Sequence, residues 1–373
     1  MATFDLVVVG AGIVGLAHAL AAARRGLRVA VLERDACATS ASVRNFGFVT
    51  VSGQDGGATR RRALRSREIW AEVAREAVIP IHQQGAVIVA QRLPALSALE
   101  EFASGEMGKG CELWDAPTLR ARLPQVNPKA LGALWSPHEL RVEARDAIPL
   151  LARWLEDKLG VVFSWNTIAL GFDGTTVAHS AGKLSAGAVV IAPGASVSTF
   201  APDLARRVNV RQCKLQMMRL ANPGFTLPGV VMTDLSLARY EGFAVQPSAV
   251  RLKDELQREC AAQLAAGVHL IVAQGRDGSL VVGDSHHYAE HADPFTSSAV
   301  DALILGEFRA LFGIEPPPVV ERWAGYYPVA DVRPVLDETL APRVRLVSVT
   351  SGTGMSTAFA IGEETIGQLF GAS

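Results

Sequence analysis

The most constraining feature of this sequence is a glycine-rich turn close to its start, within the stretch LVVVGAGIVGL. Leu6–Val9 is wholly apolar, as expected for a strand buried on both faces. Gly10, Gly12 and Gly15 then follow with the spacing G-x-G-x-x-G. The first glycine permits a tight turn, the second lets a phosphate approach the backbone, and the third lets a helix pack on the strand. The pattern therefore predicts a turn that holds a diphosphate.

The residues after the turn form a helix in this prediction. The segment from about Ile13 to Arg25 is rich in alanine and leucine, and Gly26 follows it as a natural stop. A helix beginning at Ile13 and Val14 would direct its first N–H groups and the positive end of its dipole at the diphosphate.

A second strand and an acidic residue complete the unit. Leu27–Leu32 is the predicted strand, and Glu33 follows it. A carboxylate at this position can accept hydrogen bonds from both ribose hydroxyls of an adenosine. Glu33 would repel a 2′-phosphate, which argues against NADP, although the neighbouring Arg34 weakens that argument. The complete unit predicts dinucleotide binding.

Composition and charge exclude several other classes. The chain has 373 residues, a formal net charge of −1, 49% apolar residues and 20% charged residues, which is typical of a globular protein of more than one domain. Such a balance gives no electrostatic reason to bind nucleic acid or an anionic membrane. No apolar run reaches the roughly 18–20 residues of a membrane span, and the opening MATFD has no basic targeting region. We therefore expect a cytoplasmic protein.

Similar strand-and-turn segments recur later in the chain. Residues 188–192 (AVVIA) and Val344–Val349 are apolar strands, each followed by a glycine turn, and a helix is predicted over about Thr357–Leu369. Residues 161–184 alternate like a small antiparallel meander. The helix behind the glycines of 351–356 is again an anion-stabilising position.

Together these segments resemble the flavin amine oxidases of the D-amino-acid, glycine and sarcosine oxidase superfamily. The matching pieces are the opening fingerprint, SASVRNFG (40–47), AVVIAPGA (188–195), WAGYYPVADVRP (323–334) and TSGTGMS (350–356). The resemblance implies that the dinucleotide is a tightly held FAD. It places 42–47 beside the isoalloxazine ring, the backbone of Ile168 at the adenine, and the N–H groups of 352–356 at the flavin N1/O2 edge. The cofactor-binding residues that it implies are Gly10, Gly12, Ile13, Val14, Gly15, Glu33, Arg34, Ser40, Ser42, Arg44, Asn45, Phe46, Gly47, Ile168, Ala192, Gly194, Gly352, Gly354, Met355 and Ser356.

The resemblance also implies the fold class, which is α/β. A doubly wound, Rossmann-type FAD-binding domain would comprise residues 1–49, 141–205 and 321–373. An interrupted α+β domain with an antiparallel sheet and a helix near Ser298–Phe312 would comprise residues 50–140 and 206–320 and would roof the flavin. Ligands are expected at the open edge of the sheet, beneath this second domain.

Several family positions carry different residues in this chain. Tyr327 stands where one branch has the arginine that clamps a substrate carboxylate, and Ser356 stands where the sarcosine oxidase branch has a lysine. Gly325 replaces the cysteine that would attach FAD covalently, so the FAD is expected to be non-covalent. Val281 replaces an oxygen-activating lysine, which leaves either O₂ or a quinone as the electron acceptor. The missing clamps argue against a simple α-amino acid as substrate.

A further segment, VGDSHHYAEHADPF (282–295), resembles a subgroup associated with aminophosphonate breakdown. This resemblance implies 2-aminoethylphosphonate or an N-alkyl derivative as the small-molecule amine substrate. Hydroxyls, imidazoles and arginine would hold its tetrahedral dianion. The candidate catalytic residues are Tyr327, His286 and Tyr240, and the candidate substrate-binding residues are Arg44, His287, Tyr326 and Ser356.

Each candidate has a structural alternative. His286, His287 and His291 could be surface or turn residues, and no metal site is predicted because a strand end does not bring these three together. Tyr326 and Tyr327 point to opposite faces of an extended strand, so at most one of them is expected to face the flavin. Arg44 could serve the pyrophosphate or the local structure instead of the substrate.

The predicted reaction is oxidation of a C–N bond. A neutral amine would lose a hydride from its α-carbon to flavin N5, and water would hydrolyse the imine to an aldehyde and an amine or ammonia. Positioning and the helix dipole would supply most of the catalysis. Three alternatives remain open: a glycine/sarcosine-type amino acid oxidase, an FAD-dependent 2-hydroxy-acid dehydrogenase, and a non-catalytic flavoprotein that binds a partner.

Overall fold

The computed structural model describes residues 3–331 and 333–371, which form two large sheets and the helices that cover them. The strands are β1 (Thr3–Val9), β2 (Val29–Leu32), β3 (Phe48–Val49), β4 (Ile81–Ala90), β5 (Glu112–Asp115), β6 (Gly132–Val142), β7 (Val162–Ser164), β8 (Ala169–Asp173), β9 (Thr176–His179), β10 (Gly182–Ile191), β11 (Arg211–Leu220), β12 (Val230–Met232), β13 (Ile271–Gln274), β14 (Leu280–Gly283), β15 (His287–Ala289), β16 (Val319–Val329), β17 (Val335–Ala341) and β18 (Val344–Val349). The α-helices are α1 (Ile13–Ala23), α2 (Ala58–Glu76), α3 (Leu93–Ser104), α4 (Ala116–Arg122), α5 (Ala144–Leu159), α6 (Val197–Phe200), α7 (Pro202–Arg207), α8 (Asp234–Leu237), α9 (Glu241–Ala244), α10 (Ser248–Glu259), α11 (Ala261–Ala265), α12 (Ser298–Phe312) and α13 (Gly354–Phe370).

The first sheet is the predicted nucleotide-binding sheet. Its strand order is β17-β18-β10-β1-β2-β7, and the pairings from β18 to β7 are all parallel. One face packs against α1, α2, α5 and α13 around a core that includes Leu6, Val8, Val29 and Val31. The opposite face is covered by the antiparallel β8, β9 and the first half of β10. The carboxyl ends of the parallel strands therefore meet at one edge, where the turns before α1 and α13 lie.

The second sheet forms the roof. Its order is β15-β11-β14-β13-β12-β4-β6-β3, with β16 paired to β11 and β5 paired to β6. All pairings are antiparallel except that of β12 with β4. Its two faces are buried beneath different helices, α3 and α10 on one side and α12 on the other. Both faces are therefore largely apolar, although Lys214 and Gln216 are buried polar residues in the middle of β11.

The predicted α/β fold class is confirmed, with differences at element boundaries. β18 and α12 match their predicted ranges, and the segments predicted separately at 183–184 and 188–192 form one strand, β10. β16 pairs with β11 along most of its length. The predicted domain boundary at residue 321 therefore cuts through a roof strand, because the segment crosses from the second sheet back to the first. Within residues 3–331 and 333–371, no helix combines the length and the apolar character needed to cross a membrane.

The contact between α1 and α13 offers a direct test of the packing. A Cβ at Gly362 of α13 would lie 2.7 Å from the Ala17 carbonyl oxygen of α1. We expect Gly362→Ala to push the helices apart and lower the free energy of unfolding by about 1–3 kcal/mol. Thermal unfolding of the FAD-loaded protein measures the effect.

Gly367→Ala in the same helix is the matched control. No described atom lies within 4 Å of a Cβ placed there. Alanine should then stabilise the helix by about 0.5–1 kcal/mol through its higher propensity. An equal response of the two variants would contradict the close approach of α1 and α13.

Candidate active site

The glycine turn after β1 leaves no room for side chains. Gly10 has φ +105°, and a Cβ there would lie 2.4 Å from the carbonyl oxygen of Ala192. A Cβ on Gly15 would lie 1.8 Å from the Gly10 carbonyl oxygen, and one on Gly12 would lie 2.9 Å from Ser42 Oγ. The glycines thus leave the backbone at the N-terminus of α1 open to close approach, as a phosphate-binding turn requires.

Glu33 and Ser42 brace this turn. Glu33 accepts hydrogen bonds from the backbone N–H groups of Ala11 (2.8 Å) and Asp35 (3.1 Å). Ser42 Oγ accepts one from the N–H of Ile13 at 2.9 Å. Arg34 is exposed and lies 3.7 Å from Asp35. The Glu33 carboxylate is therefore oriented at the end of β2, at the position predicted for the ribose.

The backbone of Ile168, which is predicted to meet the adenine, is hydrogen-bonded within its own hairpin. Its N–H donates to Ser180 Oγ at 3.1 Å, and its carbonyl accepts from the Ser180 N–H at 2.9 Å. These bonds extend the pairing of β8 and β9 by one residue at the open end of the hairpin. The backbone N–H of Ile168 is thus already used, and the second lone pair of its carbonyl and its half-exposed side chain are the parts left for a contact.

A cleft of about 630 Å³ lies between the edge of the first sheet and the roof. Most predicted flavin- and substrate-side residues line it: Ile13, Val14, Ser42, Arg44, Asn45, Phe46, Gly194, Tyr240, His286, Tyr326, Tyr327, Gly352, Gly354, Met355 and Ser356. Ten other predicted site residues do not line it: Gly10, Gly12, Gly15, Glu33, Arg34, Ser40, Gly47, Ile168, Ala192 and His287. Ser40 is exposed, Gly47 packs against the β6 end because a Cβ there would lie 1.7 Å from the Val142 carbonyl oxygen, and His287 turns away.

His287 turns away because of strand alternation. It is the first residue of β15, and its neighbour Tyr288 is the one that contacts Arg239, a residue of the cleft wall. Successive side chains of a strand point to opposite faces. The prediction that His287 contacts substrate is therefore not supported by its position.

The N-terminus of α13 enters the cleft at Gly354. Gly352 before it has φ +74°, and a Cβ there would lie 3.0 Å from the Tyr327 ring. Ser356 Oγ accepts the Thr50 N–H at 2.9 Å, and the Met355 carbonyl accepts Trp70 Nε1–H at 2.8 Å. Ser356 thus links α13 to the segment after β3, and the positive end of the helix dipole is aimed at the cleft.

Arg44 and Asn45 mainly organise the loop that carries them. Arg44 donates from Nε to the Thr39 carbonyl at 2.7 Å and from Nη1 to the Ala324 carbonyl at 3.4 Å. Asn45 donates to the Ala41 carbonyl and accepts from the Gly47 N–H. This supports the structural alternative for Arg44, although its side chain still borders the cleft.

The roof end of the cleft contains an acidic and histidine-rich cluster, which we call the roof triad: His269, Asp284 and His286. All three are buried. His269 Nε2 lies 3.0 Å from Asp284 Oδ1, and His286 Nε2 lies 3.7 Å from Asp284 Oδ2. The two imidazole rings stack with their centroids 5.1 Å apart, and Tyr240 packs edge-on against His269 at 5.7 Å.

Burial and charge determine the protonation of this region. Burial disfavours the imidazolium and lowers the pKa of His286 to about 3, despite the nearby Asp284. Burial alone would raise the pKa of Asp284, but His286, His269 and Arg239 outweigh it and hold that pKa well below its ordinary value. Burial raises the pKa of Tyr240 and Tyr327. At neutral pH the cleft therefore contains neutral phenols, a neutral His286 and an ionised Asp284.

Arg239 is the cation at this end of the cleft. Its Nη2 donates to the Tyr288 hydroxyl at 3.0 Å. The Arg239 residue is exposed and forms part of the cleft wall. The two β16 tyrosines also border the cleft: Tyr326 donates to the Asp293 carbonyl at 3.0 Å, and the Tyr327 ring lies against Gly352. Tyr327 is thus the tyrosine on the side of α13.

Sequence reasoning missed Arg239, His269 and Asp284. Arg239 adjoins the predicted Tyr240, and Asp284 lies two residues before His286, so both were in segments already singled out. His269 has no local signal because it lies in an ordinary apolar stretch, VHLIVA. Only the pairing of β13 with β14 brings it to Asp284.

Comparison with known proteins places this architecture in a family. Residues 5–367 match the family model described as "DAO: FAD dependent oxidoreductase". The chain therefore belongs to the DAO family of FAD-dependent oxidoreductases, and its cofactor is FAD. The glycine turn, the braced Glu33 and the α13 N-terminus at the cleft are the groups that fit FAD.

Solved structures support the same fold. Glycine oxidase from Geobacillus kaustophilus is 18% identical, with a TM-score of 0.78 over 100% of this chain and 96% of that one. L-alpha-glycerophosphate oxidase from Mycoplasma pneumoniae with FAD bound is 16% identical, with a TM-score of 0.78 over 99% and 95% of the two chains. At such identities the likeness concerns the fold alone.

A curated relative is similar over a shorter stretch. One component of the anaerobic glycerol-3-phosphate dehydrogenase of Escherichia coli (strain K12) is 29% identical over 136 residues, which is 36% of this chain. The match spans only 25% of that relative's length.

The glycine turn gives a test of cofactor binding. We expect Gly10→Ala to weaken FAD binding at least about tenfold, because a methyl group would meet the Ala192 carbonyl in a backbone conformation that alanine rarely adopts. The ratio of flavin to protein absorbance after purification and a titration with FAD measure the change. Gly306→Ala in α12, where no described atom lies within 4 Å of the new methyl, should retain FAD fully.

Proposed function

We propose that this protein oxidises the C–N bond of a small amine that carries an anionic group, with 2-aminoethylphosphonate or an N-alkyl derivative as substrate. FAD, when bound, supplies the acceptor for the hydride that leaves the α-carbon. The chain itself supplies the sites for the anion and the amine. The single observation that carries the proposal is Arg239 on the wall of the cleft, in a chain that lacks the carboxylate clamps of the amino acid oxidases.

The anion site is built from different elements than those of the amino acid oxidases. Tyr327 and Ser356 occupy the two clamp positions, and the hydroxyl of Ser356 is already hydrogen-bonded to Thr50. Arg239, with the Tyr288 hydroxyl beside it and the Tyr327 phenol facing the same cleft, offers separated donors instead of one planar fork. Separated donors suit the oxygens of a tetrahedral phosphonate.

The amine site is predominantly apolar. Phe48, Leu215 and Ile271 line the cleft together with Tyr240 and Tyr327. An alkylamine titrates near pH ~10.4 in water, and an apolar wall disfavours its ammonium form. A neutral amine keeps the lone pair that expels the hydride. These side chains would also exclude water until the imine leaves for hydrolysis to an aldehyde and an amine or ammonia.

The cofactor would be held without a covalent bond. Gly325 has no side chain to attach, and a Cβ there would lie 2.8 Å from the Arg44 carbonyl oxygen. The position of the missing oxygen-activating lysine is occupied by Val281, which is buried in the roof sheet. Either O₂ or a quinone could then take the electrons, with the quinone favoured by the absence of that lysine.

A second candidate reaction is oxidation of an alcohol that carries a phosphate or a carboxylate. His286 favours it, because a neutral imidazole beside a carboxylate can take a hydroxyl proton. The similarity to the anaerobic glycerol-3-phosphate dehydrogenase over 136 residues points in the same direction. An alcohol would not need the apolar wall that keeps an amine neutral.

An anaerobic screen separates these reactions. The FAD-loaded protein is mixed with 2-aminoethylphosphonate, its N-methyl derivative, glycine, sarcosine, glycerol 3-phosphate or lactate, and flavin bleaching is followed near 450 nm, roughly where oxidised flavin absorbs. We expect the phosphonates to bleach it fastest. Faster bleaching by glycine or sarcosine would refute the assigned substrate class, and bleaching by glycerol 3-phosphate or lactate alone would favour the alcohol.

Replacing the guanidinium tests the anion site. We expect Arg239→Gln to raise the substrate concentration needed for half-maximal flavin reduction by about 10- to 100-fold, the size of a lost charge-assisted hydrogen bond. The limiting reduction rate should change much less, and Arg239→Lys should restore part of the affinity. Arg309→Gln, whose partner is the surface Glu315, is the control and should behave like the unaltered protein. An unchanged affinity in Arg239→Gln would remove Arg239 from the site.

A further inference from the structure

The roof triad is assembled by the pairing of two roof strands. His269 lies just before β13 and Asp284 just after β14, and these strands pair with Ile271 opposite Gly283. His286 follows two residues later, immediately before β15. Their nearest ligand atoms, two imidazole nitrogens and a carboxylate oxygen, all lie within 4.8 Å of one another. All three residues border the cleft.

The hydrogen bonds around the triad determine where the imidazole protons are. His286 Nδ1 lies 2.9 Å from the Gly267 carbonyl oxygen, which can only accept, so Nδ1 carries the proton. Ser236 Oγ donates to the His269 carbonyl at 2.7 Å, so it can only accept from His269 Nδ1 at 3.2 Å. In the neutral rings, both Nε2 atoms therefore present lone pairs to the Asp284 carboxylate.

The Asp284 carboxylate is itself incompletely satisfied. Oδ1 is buried and has no hydrogen-bond partner among the described residues, although His269 Nε2 lies 3.0 Å from it. When both rings are neutral, the two Nε2 atoms and the carboxylate converge as three acceptors within 4.8 Å of one another. A buried arrangement of this kind is costly unless a cation binds to it.

The spacing of the acceptors indicates which cation fits. Ligands around a tetrahedral ion at about 2.0–2.1 Å lie about 3.3–3.4 Å apart, and the two distances to Asp284 are 3.0 and 3.7 Å. An ammonium ion hydrogen-bonded at about 2.9 Å would need acceptors about 4.7 Å apart. Both distances to Asp284 are shorter than that and closer to the metal spacing. Protonation of His269 is the other alternative. A proton on His269 Nε2 would serve only its contact with Asp284 Oδ1 and would leave the His286 Nε2 lone pair facing Asp284 Oδ2.

We propose that His269 Nε2, the Asp284 carboxylate and His286 Nε2 bind one divalent transition-metal ion, with a remaining coordination position open to the cleft. The Gly267 carbonyl and the Ser236 hydroxyl on the two Nδ1 atoms are the outer partners that orient metal-binding histidines. Two imidazoles and one carboxylate are a donor set for Zn²⁺ with an open position. The sequence prediction of no metal site considered His286 together with His287 and His291, and of these only His286 belongs to this set.

The ion and Arg239 would both face the roof end of the cleft. Its open position can take an oxygen of an anionic substrate group or a water molecule. A second positive charge there would also disfavour the ammonium form of a bound amine. This consequence rests on the proposed function, whereas the ion site does not.

Metal analysis of the holoenzyme tests the site. The FAD-loaded protein is equilibrated with Zn²⁺, freed of excess ion over a desalting column and analysed for zinc and flavin by mass spectrometry and absorbance. We expect about one Zn²⁺ per chain, as for a three-ligand site. Asp284→Asn, His269→Gln and His286→Gln should each lose most of the zinc while keeping their FAD. His287→Gln and His291→Gln are matched controls and should keep both.

Each alternative outcome is decisive. Less than about a tenth of an equivalent of Zn²⁺ in the unaltered protein, or unchanged zinc in all three variants, would overturn the site, since each ligand is needed for tight binding. No zinc, combined with a raised amine requirement in Asp284→Asn, would make the triad an ammonium site instead. If Asp284→Asn loses FAD by misfolding, the histidine variants decide. Stoichiometric zinc with no flavin reduction by any amine or alcohol would leave the ion site standing and refute the proposed function.

Discussion

The structure depends on one close approach of backbone to backbone, at the carboxyl ends of β1 and β10. Gly10 passes so near the Ala192 carbonyl that a single methyl group would not fit. That contact sets where α1 begins, and α13 then packs on α1 through the close approach of Gly362 to Ala17. Both helices consequently direct their N-termini to one edge of the sheet, where a diphosphate and the flavin's developing charge need them.

The roof brings a different kind of chemistry to the same edge. Its sheet is apolar over much of both faces. His269, Asp284 and His286 lie at the ends of β13, β14 and β15, and Arg239 lies in the turn between α8 and α9. A buried carboxylate with an unsatisfied oxygen is expensive, and the proposed cation would offset that cost. The family fold thus provides the FAD site, and the proposed anion and ion sites lie at the roof end of the cleft.

Predictions from sequence were most accurate where a pattern is local. The predicted bounds of β18 and α12 match the observed ones because each is a single apolar or amphipathic run flanked by residues that end a strand or helix. The glycine turn was interpretable because the G-x-G-x-x-G spacing lies within one strand–turn–helix unit, although Gly10 and Gly12 make their close contacts with Ala192 and Ser42 outside it. The roof-facing residues were harder: Tyr240 and His286 were selected, whereas Arg239 and His269 were not, and His287 was selected although it faces away.

The sequence alone determined the FAD-binding unit, because tight turns, helix starts and an acid after β2 are dictated by residues adjacent in the chain. Tertiary structure alone decided which polar groups share the cleft. His269 and Asp284 lie at the same end of the antiparallel pair formed by β13 and β14, one beside each strand. They meet only through the register of these two strands. Ser356 and Ile168 likewise use their polar groups on Thr50 and Ser180. Long-range pairing sets such contacts, and no local periodicity encodes it.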